Sequence, residues 1–306
     1  MNMPPPVVAV VGATATGKSE FALALAERLN GEIVNADALQ FYRGMDIGTA
    51  KLPPAERRGI PHWLIDVLEV TQEASVAVFQ AQARSLIDGL RSLGRVPVLV
   101  GGSGLYVRAV LDDLRFPGTD PGVRTRLEER LAEEGVGALR SDLERLDPAA
   151  AEKIAPADER RTVRALEVIE LTGKPFSAHL PEYRHLRPTV QLGLAMDRHE
   201  LHSRIERRVA QMWEHGLLDE VEQLLGRGLA AGRTASRAIG YAQAIAQLEG
   251  RLSEAEAQSD TVVQTRRFAK RQGTWFRRDQ RIHWLDATRP LAELTDEALD
   301  LIRTHR

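Results

Sequence analysis

The stretch Gly12-Ala13-Thr14-Ala15-Thr16-Gly17-Lys18-Ser19 carries the residue types that a bound phosphate needs. Its glycines let backbone amides turn inward around an anion, Lys18 supplies a full positive charge, and the Ser19 hydroxyl can ligate Mg²⁺. Asp37 ends a second short run, Glu32-Ile33-Val34-Asn35 followed by Ala36. In an open parallel sheet that position lies beside the phosphate loop, where a carboxylate can cap a helix, do chemistry, or both. Gly101-Gly102-Ser103-Gly104 follows a third apolar run. Such a cluster is a tight turn, or a place where a substrate comes close to backbone amides and Ser103 orients it by hydrogen bond. Arg204, Arg207 and Arg208 fall on a later helix from which they can reach phosphates across a cleft.

The elements that must hold these residues follow from periodicity. Val7 to Val11 reads as a buried strand, and Phe21, Leu25 and Leu29 mark the helix after the phosphate loop. Further strands are expected at Glu32–Asn35, Val96–Val100, Val190–Ala195 and Ile282–Asp286, with an amphipathic helix over Val78–Leu93, another opening at Ala235–Tyr241, and a closing one over Leu291–Ile302. From Pro117-Gly118 to Pro188 the strand-like runs give way to helical stretches, Val123–Glu134 and Asp158–Thr172, the second stopped at Gly173. The expected fold is therefore α/β: a P-loop-containing parallel sheet flanked by helices, with a smaller all-helical insertion domain. Residues 1–117 and 188–306 would form the catalytic core and 118–187 the insertion.

Global composition narrows the function little. The chain has 306 residues and a formal net charge of −2, so affinity for a polyanion has to come from local patches. It has no cysteine, which excludes thiolate metal sites and a cysteine nucleophile, and fits the cytoplasm. No run suits a signal peptide or a membrane span. Two patches are basic. Arg160, Arg161 and Arg164 share roughly one helical face, which suits phosphates or pairs with Asp158, Glu159 and Glu167. Thr265 to Arg278 interleaves Arg266, Arg267, Lys270, Arg271, Arg277 and Arg278 with Phe268, Trp275 and Phe276, with only Asp279 nearby to neutralise them; it reads as a solvated charged face or as a surface offering phosphate contact together with base stacking. Asp197, His199 and His202 are too irregularly spaced for a metal site. Neither the acidic strand end of a motor ATPase nor the Asn-Lys-x-Asp loop of a GTPase stands in the chain.

Taken in order, these pieces resemble the tRNA dimethylallyltransferases, also called tRNA isopentenyltransferases, of bacterial type. The resemblance runs over the phosphate loop, Asn35-Ala36-Asp37 with Gln40 and Tyr42, Met45 to Lys51, Gly101 to Tyr106, Arg160 to Glu167, Ala238-Ile239-Gly240-Tyr241, and Ala269-Lys270-Arg271-Gln272 through Trp275-Phe276-Arg277. It implies transfer of a dimethylallyl group from dimethylallyl diphosphate to the exocyclic amine of the tRNA adenosine 3′ of the anticodon, with release of pyrophosphate. Residues Gly12 to Ser19 and Arg208 would hold the diphosphate, with Mg²⁺ on Ser19. Asp37, Ser103 and Arg208 would be catalytic, Asp37 taking the proton from the amine. The anticodon stem-loop would meet Asp37, Ala38, Leu39, Gln40, Ser103, Arg124, Arg160, Arg161, Thr162, Val163, Arg164, Arg237, Gly240, Lys270 and Arg271. The enzyme would work as a monomer. Ser103 stands where the family has threonine, Ala38 where serine is frequent, and Ala242-Gln243 where Lys-Glu is common. The rival readings are an isopentenyltransferase acting on free adenylate, a P-loop nucleoside or nucleotide kinase, and a non-catalytic RNA-binding module.

Overall fold

A computed structural model describes residues 4–179 and 183–304. Six parallel strands form one sheet in the order β3-β2-β4-β1-β5-β6, where β1 is Val7–Gly12, β2 Gly31–Asn35, β3 His62–Trp63, β4 Val96–Gly101, β5 Thr189–Ala195 and β6 Ile282–Asp286. The valine-rich strands are buried on both faces, as parallel strands covered by helices must be. In β1 the alternation is explicit. Val8 and Val10 pack against α1 (Lys18–Leu29) and, later in the chain, α11 (Leu291–Thr304), through Phe21, Leu25, Ala298 and Ile302. Val7, Ala9 and Val11 face α2 (Val76–Ser92) and α3 (Gly104–Leu111), through Phe79, Ile87 and Val107.

Register places the site. Val11 of β1 pairs with Gly101 of β4, and Asn35 of β2 pairs with Val100, so the phosphate loop, Asp37 and the second glycine loop leave the sheet along one edge. Ligands of open parallel sheets bind beyond that carboxyl edge.

The backbone divides into two compact units, Met1–Leu111 with His185–Arg306, and Asp112–Arg184. The Leu186 amide donates to Leu111 O at 2.8 Å, joining the chain where it leaves and re-enters the first unit. The second unit is helical: α4 (Pro121–Leu146), α5 (Pro148–Lys153) and α6 (Glu159–Thr172) pack around Leu127, Leu139, Leu143, Val163 and Leu166. The helix expected over Val123–Glu134 runs on to Leu146, kinking at Gly135 (φ 78°). Gly173, at φ 65°, ends α6.

Beyond β5 come α7 (Arg198–Glu214), α8 (Leu217–Gly226), α9 (Tyr241–Leu248) and α10 (Glu254–Phe276). Their shared core includes Ile205, Val209, Leu217, Tyr241 and Ala269, and extends to Tyr42 and Met45 of the loop after β2. The helix expected to open at Ala235 starts later, at Tyr241. Ala235–Arg237 form a 3₁₀ turn, and Gly240 at φ 92° interrupts the right-handed path.

Candidate active site

The phosphate loop owes its shape to its glycines. Gly12 has φ 140°, and a Cβ there would lie 2.6 Å from Leu194 O of the neighbouring strand. Gly17, at φ 88°, turns the chain into α1 and leaves Lys18 as its first residue. Lys18 Nζ donates to Ala13 O at 2.6 Å, and Thr16 Oγ1 donates to the same carbonyl at 2.8 Å. Burial pushes the Lys18 ammonium down to about 8, with Asp37 opposing that shift and Arg208 adding to it. Burial likewise lowers Arg208, and Asp37 again opposes. A carboxylate thus sits among two cations that have lost part of their water.

Asp37 is fixed by its neighbours. Its amide donates to Asn35 Oδ1 at 2.9 Å, while Asn35 Nδ2 donates to Asp37 O at 3.1 Å and Leu64 O at 2.9 Å. Asp37 Oδ1 accepts from the Leu39 amide at 3.0 Å. One carboxylate oxygen closes the turn, and the residue still lines the cavity.

Arg208 reaches the loop from α7. It donates to Thr14 Oγ1 and to Thr49 O, each at 3.4 Å, and Gln40 Nε2 donates to Thr49 O at 3.2 Å. The loop that offers Thr49 is held from two sides. Lys51 Nζ, buried, donates to Tyr42 O at 2.9 Å and pairs with Asp46 and Asp66, each at 2.6 Å. Glu220 of α8 accepts the amides of Asp46 at 3.1 Å and Ile47 at 2.7 Å, and the Tyr241 hydroxyl at 2.5 Å. Gly48 is obligatory here, since a Cβ would sit 2.4 Å from the Tyr241 ring.

The second glycine loop is joined to the first by α10. Gln272, buried, accepts the Thr14 amide on Oε1 at 2.8 Å and donates through Nε2 to Gly102 O at 3.0 Å. Trp275, one turn on, covers Gly104, where a Cβ would lie 2.0 Å from the indole. Ser103, half-buried between them, leads into α3 and its carbonyl accepts from Val107. The cavity measures about 100 Å³. Thr14, Lys18, Asp37 and Arg208 form a polar side, and Ala22, Ile33, Leu52, Ile65 and Val100 an apolar one. Such a space suits an anion joined to a small hydrocarbon.

Of the residues singled out by sequence, the structure gathers Thr14, Lys18, Ser19, Asp37, Gln40 and Arg208 around this cavity. Ala38 and Leu39 continue the Asp37 turn and are half-buried. Arg237 is exposed in its 3₁₀ turn, Gly240 is buried as the cap of α9, and Lys270 and Arg271 are exposed on α10. In the helical unit Arg160 and Arg161 are exposed, Arg161 lying 3.5 Å from Asp158. Arg124 and Arg164 are instead committed to Glu167, which is 0% exposed, with Arg164 Nη1 at 2.7 Å. Thr162 and Val163 are buried, so their side chains face the unit's interior. Gln272, Thr49 and His62 also line the cavity, although sequence assigned them no site role, and Phe268, expected from its basic segment to stack on a base, lines it as well. Gln272 had a legible signal: it lies three residues after buried Ala269 and four before buried Phe276, a polar residue in an apolar stripe.

A parallel sheet with a phosphate loop at its carboxyl edge, faced by a carboxylate and an arginine, defines a P-loop group-transfer enzyme. Residues 40–279 match the family model described as IPP transferase, and the chain belongs to that family. It is 60% identical over 285 residues to a Kocuria rhizophila tRNA dimethylallyltransferase, covering 93% of this chain and 90% of that protein. The Thermobifida fusca protein of the same name is 59% identical over 304 residues, covering 98% and 95%. Among solved structures, the tRNA isopentenylpyrophosphate transferase of Bacillus halodurans aligns with TM-score 0.72 at 40% identity, over 98% of this chain and 97% of that one. A eukaryotic dimethylallyltransferase acting on tRNA aligns with TM-score 0.83 at 26% identity, over 97% and 77%.

Proposed function

We propose that the protein transfers a dimethylallyl group from dimethylallyl diphosphate to the exocyclic amine of the tRNA adenosine 3′ of the anticodon. The bond from the allylic carbon to the diphosphate oxygen breaks, a carbon–nitrogen bond forms, the amine loses a proton, and pyrophosphate leaves. The observation that carries this reading is the shared cavity of Lys18, Arg208 and Asp37, with an apolar wall beside them. Family membership and the named relatives support it.

The chemistry divides by charge. Breaking the allylic carbon–oxygen bond builds negative charge on the leaving group, so Lys18, Arg208 and the amides of Gly12 to Ser19 other than that of Thr14, which Gln272 holds, stabilise the costly product of that step. Asp37 accepts the proton of the attacking amine, held in place by the Asn35 and Leu39 bonds. Ser103 and the Gly101-Gly102 backbone position the adenine. The Ser19 hydroxyl lines the cavity at the head of α1, which suits a hydrated Mg²⁺ brought with the diphosphate. Bound there, Mg²⁺ would neutralise phosphate charge. The exposed cations Arg160, Arg161, Arg237, Lys270 and Arg271 are the surfaces offered to the RNA; Arg124 and Arg164 contribute what their bonds to Glu167 leave free.

The decisive assay supplies labelled dimethylallyl diphosphate with unmodified tRNA, with AMP, or ATP with a nucleoside. Label in tRNA alone is expected. Label in AMP, or phosphorylation without prenylation, overturns the reading.

A further inference from the structure

Behind the phosphate loop, at the carboxyl ends of β5 and β6, lies a second groove of about 650 Å³. Five cations line it: Arg198 from α7, and Arg266, Arg267, Lys270 and Arg277 from α10 and its end; no carboxylate does. Arg266 pairs with Glu206 outside the groove, yet its Nε is buried without a hydrogen-bond partner among the described residues. Arg198, Arg267, Lys270 and Arg277 form no ion pair among the described residues. Burial first, and then the charges of Arg266 and Arg198, hold the His202 imidazole below its ordinary value, with Glu206 opposing. The groove also carries an aromatic platform. Trp284 pairs with Gly193 across β5 and β6, and a Cβ on Gly193 would lie 2.7 Å from the indole. The missing side chain lets the ring pack against the strand while 38% of the residue stays exposed.

Arg267 and Lys270 also line a neighbouring groove with Arg271 and Trp275, so the two grooves meet along α10. We propose that the groove behind the phosphate loop holds a second stretch of the substrate RNA, its phosphates on Arg198 and Arg277 and a base against Trp284. This rests on tRNA being the acceptor. Phosphates need cations with no competing carboxylate, and an unpaired base gains from an exposed aromatic face. Continuity along α10 favours a polymer over a free nucleotide.

The test compares the wild type with the double variant Arg198→Ala, Arg277→Ala and with Trp284→Ala and Trp284→Phe. Affinity for unmodified tRNA is measured at several salt concentrations, beside steady-state transfer kinetics and thermal melting. Expected are a rise of about tenfold in the Kd and KM for tRNA, and a shallower salt dependence in the double variant, by roughly 1.4 in log–log slope for two lost phosphate contacts. The KM for the diphosphate donor and kcat should stay as in the wild type, and Trp284→Phe should regain most of what Trp284→Ala loses. Unchanged tRNA affinity in folded variants overturns the proposal. So does saturable AMP binding that the double variant loses while tRNA affinity persists, which would make the groove a mononucleotide site. A wild type that binds tRNA but transfers nothing refutes the transfer reading alone, and the groove is then judged on binding; a wild type that binds no tRNA refutes both.

Discussion

Gln272 accepts the backbone amide of Thr14 at 2.8 Å across 258 residues of sequence. Its other end donates to Gly102 O at 3.0 Å. One buried carboxamide therefore sets the spacing between the phosphate loop and the glycine loop after β4, and it does so from the helix that carries the basic face. Replacing it by Met keeps length and removes both bonds. Because displacement of reacting groups by about 1 Å costs up to ~100-fold, Gln272→Met should lower kcat by about 10- to 100-fold. Both KM values should stay within about threefold, since neither loop loses its own contacts to ligand. Steady-state kinetics with each substrate varied check this; parallel rises in both KM values with kcat intact would show that the loops bind independently of the bridge.

The Lys18 ammonium sets a pH dependence. Its pKa stands near 8 in the folded protein against an ordinary 10.5. In the proposed reaction the diphosphate is held by the charged form, so kcat/KM for the donor should fall as pH rises above about 8, and binding should take up a proton there. Calorimetry in two buffers of different ionisation enthalpy reads that uptake directly. The linkage to stability has the opposite sense. Between about 8 and 10.5 the unfolded chain binds more protons at this residue than the folded one, so its contribution favours folding increasingly as pH rises through that window. Lys18→Met should accordingly raise the melting temperature of the ligand-free protein at pH 7 while abolishing transfer.

Asp37→Asn separates base from turn. Asparagine keeps an oxygen for the Leu39 amide, the bond that Asp37 Oδ1 makes at 3.0 Å, but it cannot take a proton. The kcat should fall by roughly 10²- to 10⁴-fold, the range for a lost general base, with tRNA affinity retained. Joint loss of both in a gel-shift and transfer assay would make the residue structural.

What was legible in the chain is what lies close along it. The strand, phosphate loop and helix from Val7 to Leu29 are contiguous, and Asp37 follows from one further strand, so periodicity and strand ends placed them together. Arg160 to Arg164 show where that method stops. Spacing puts three arginines on one side of α6 and leaves phosphate contact and pairing with Glu167 both open; Arg164 turns back to Glu167 and to Pro117 O at 2.6 Å, because a buried carboxylate demands partners. The Gln272 bridge and the hold of Glu220 on the Asp46–Ile47 amides join residues more than a hundred positions apart. No local pattern encodes such pairs, although the glycines at 48, 102 and 104 register them by the side chains they make room for.

Glu220 supplies the last test. Its carboxylate accepts the three consecutive amides of Asp46, Ile47 and Gly48 and the Tyr241 hydroxyl, and so fixes the loop whose Thr49 carbonyl receives both Arg208 and Gln40. Glu220→Gln removes the charge and turns one acceptor into a donor that faces other donors. Charge-assisted bonds of this kind are worth about 1.5–3 kcal/mol, so the melting temperature should drop measurably. The kinetic effect should fall on the donor side, because Arg208 loses its rest on Thr49: KM for dimethylallyl diphosphate should rise by about tenfold while KM for tRNA changes by less than about twofold. Tyr241→Phe keeps the ring beside Gly48 and removes one hydroxyl bond, and should produce a weaker form of the same pattern. A Glu220→Gln enzyme with lowered stability but an unchanged donor KM would show that Arg208 is positioned by the phosphate loop alone.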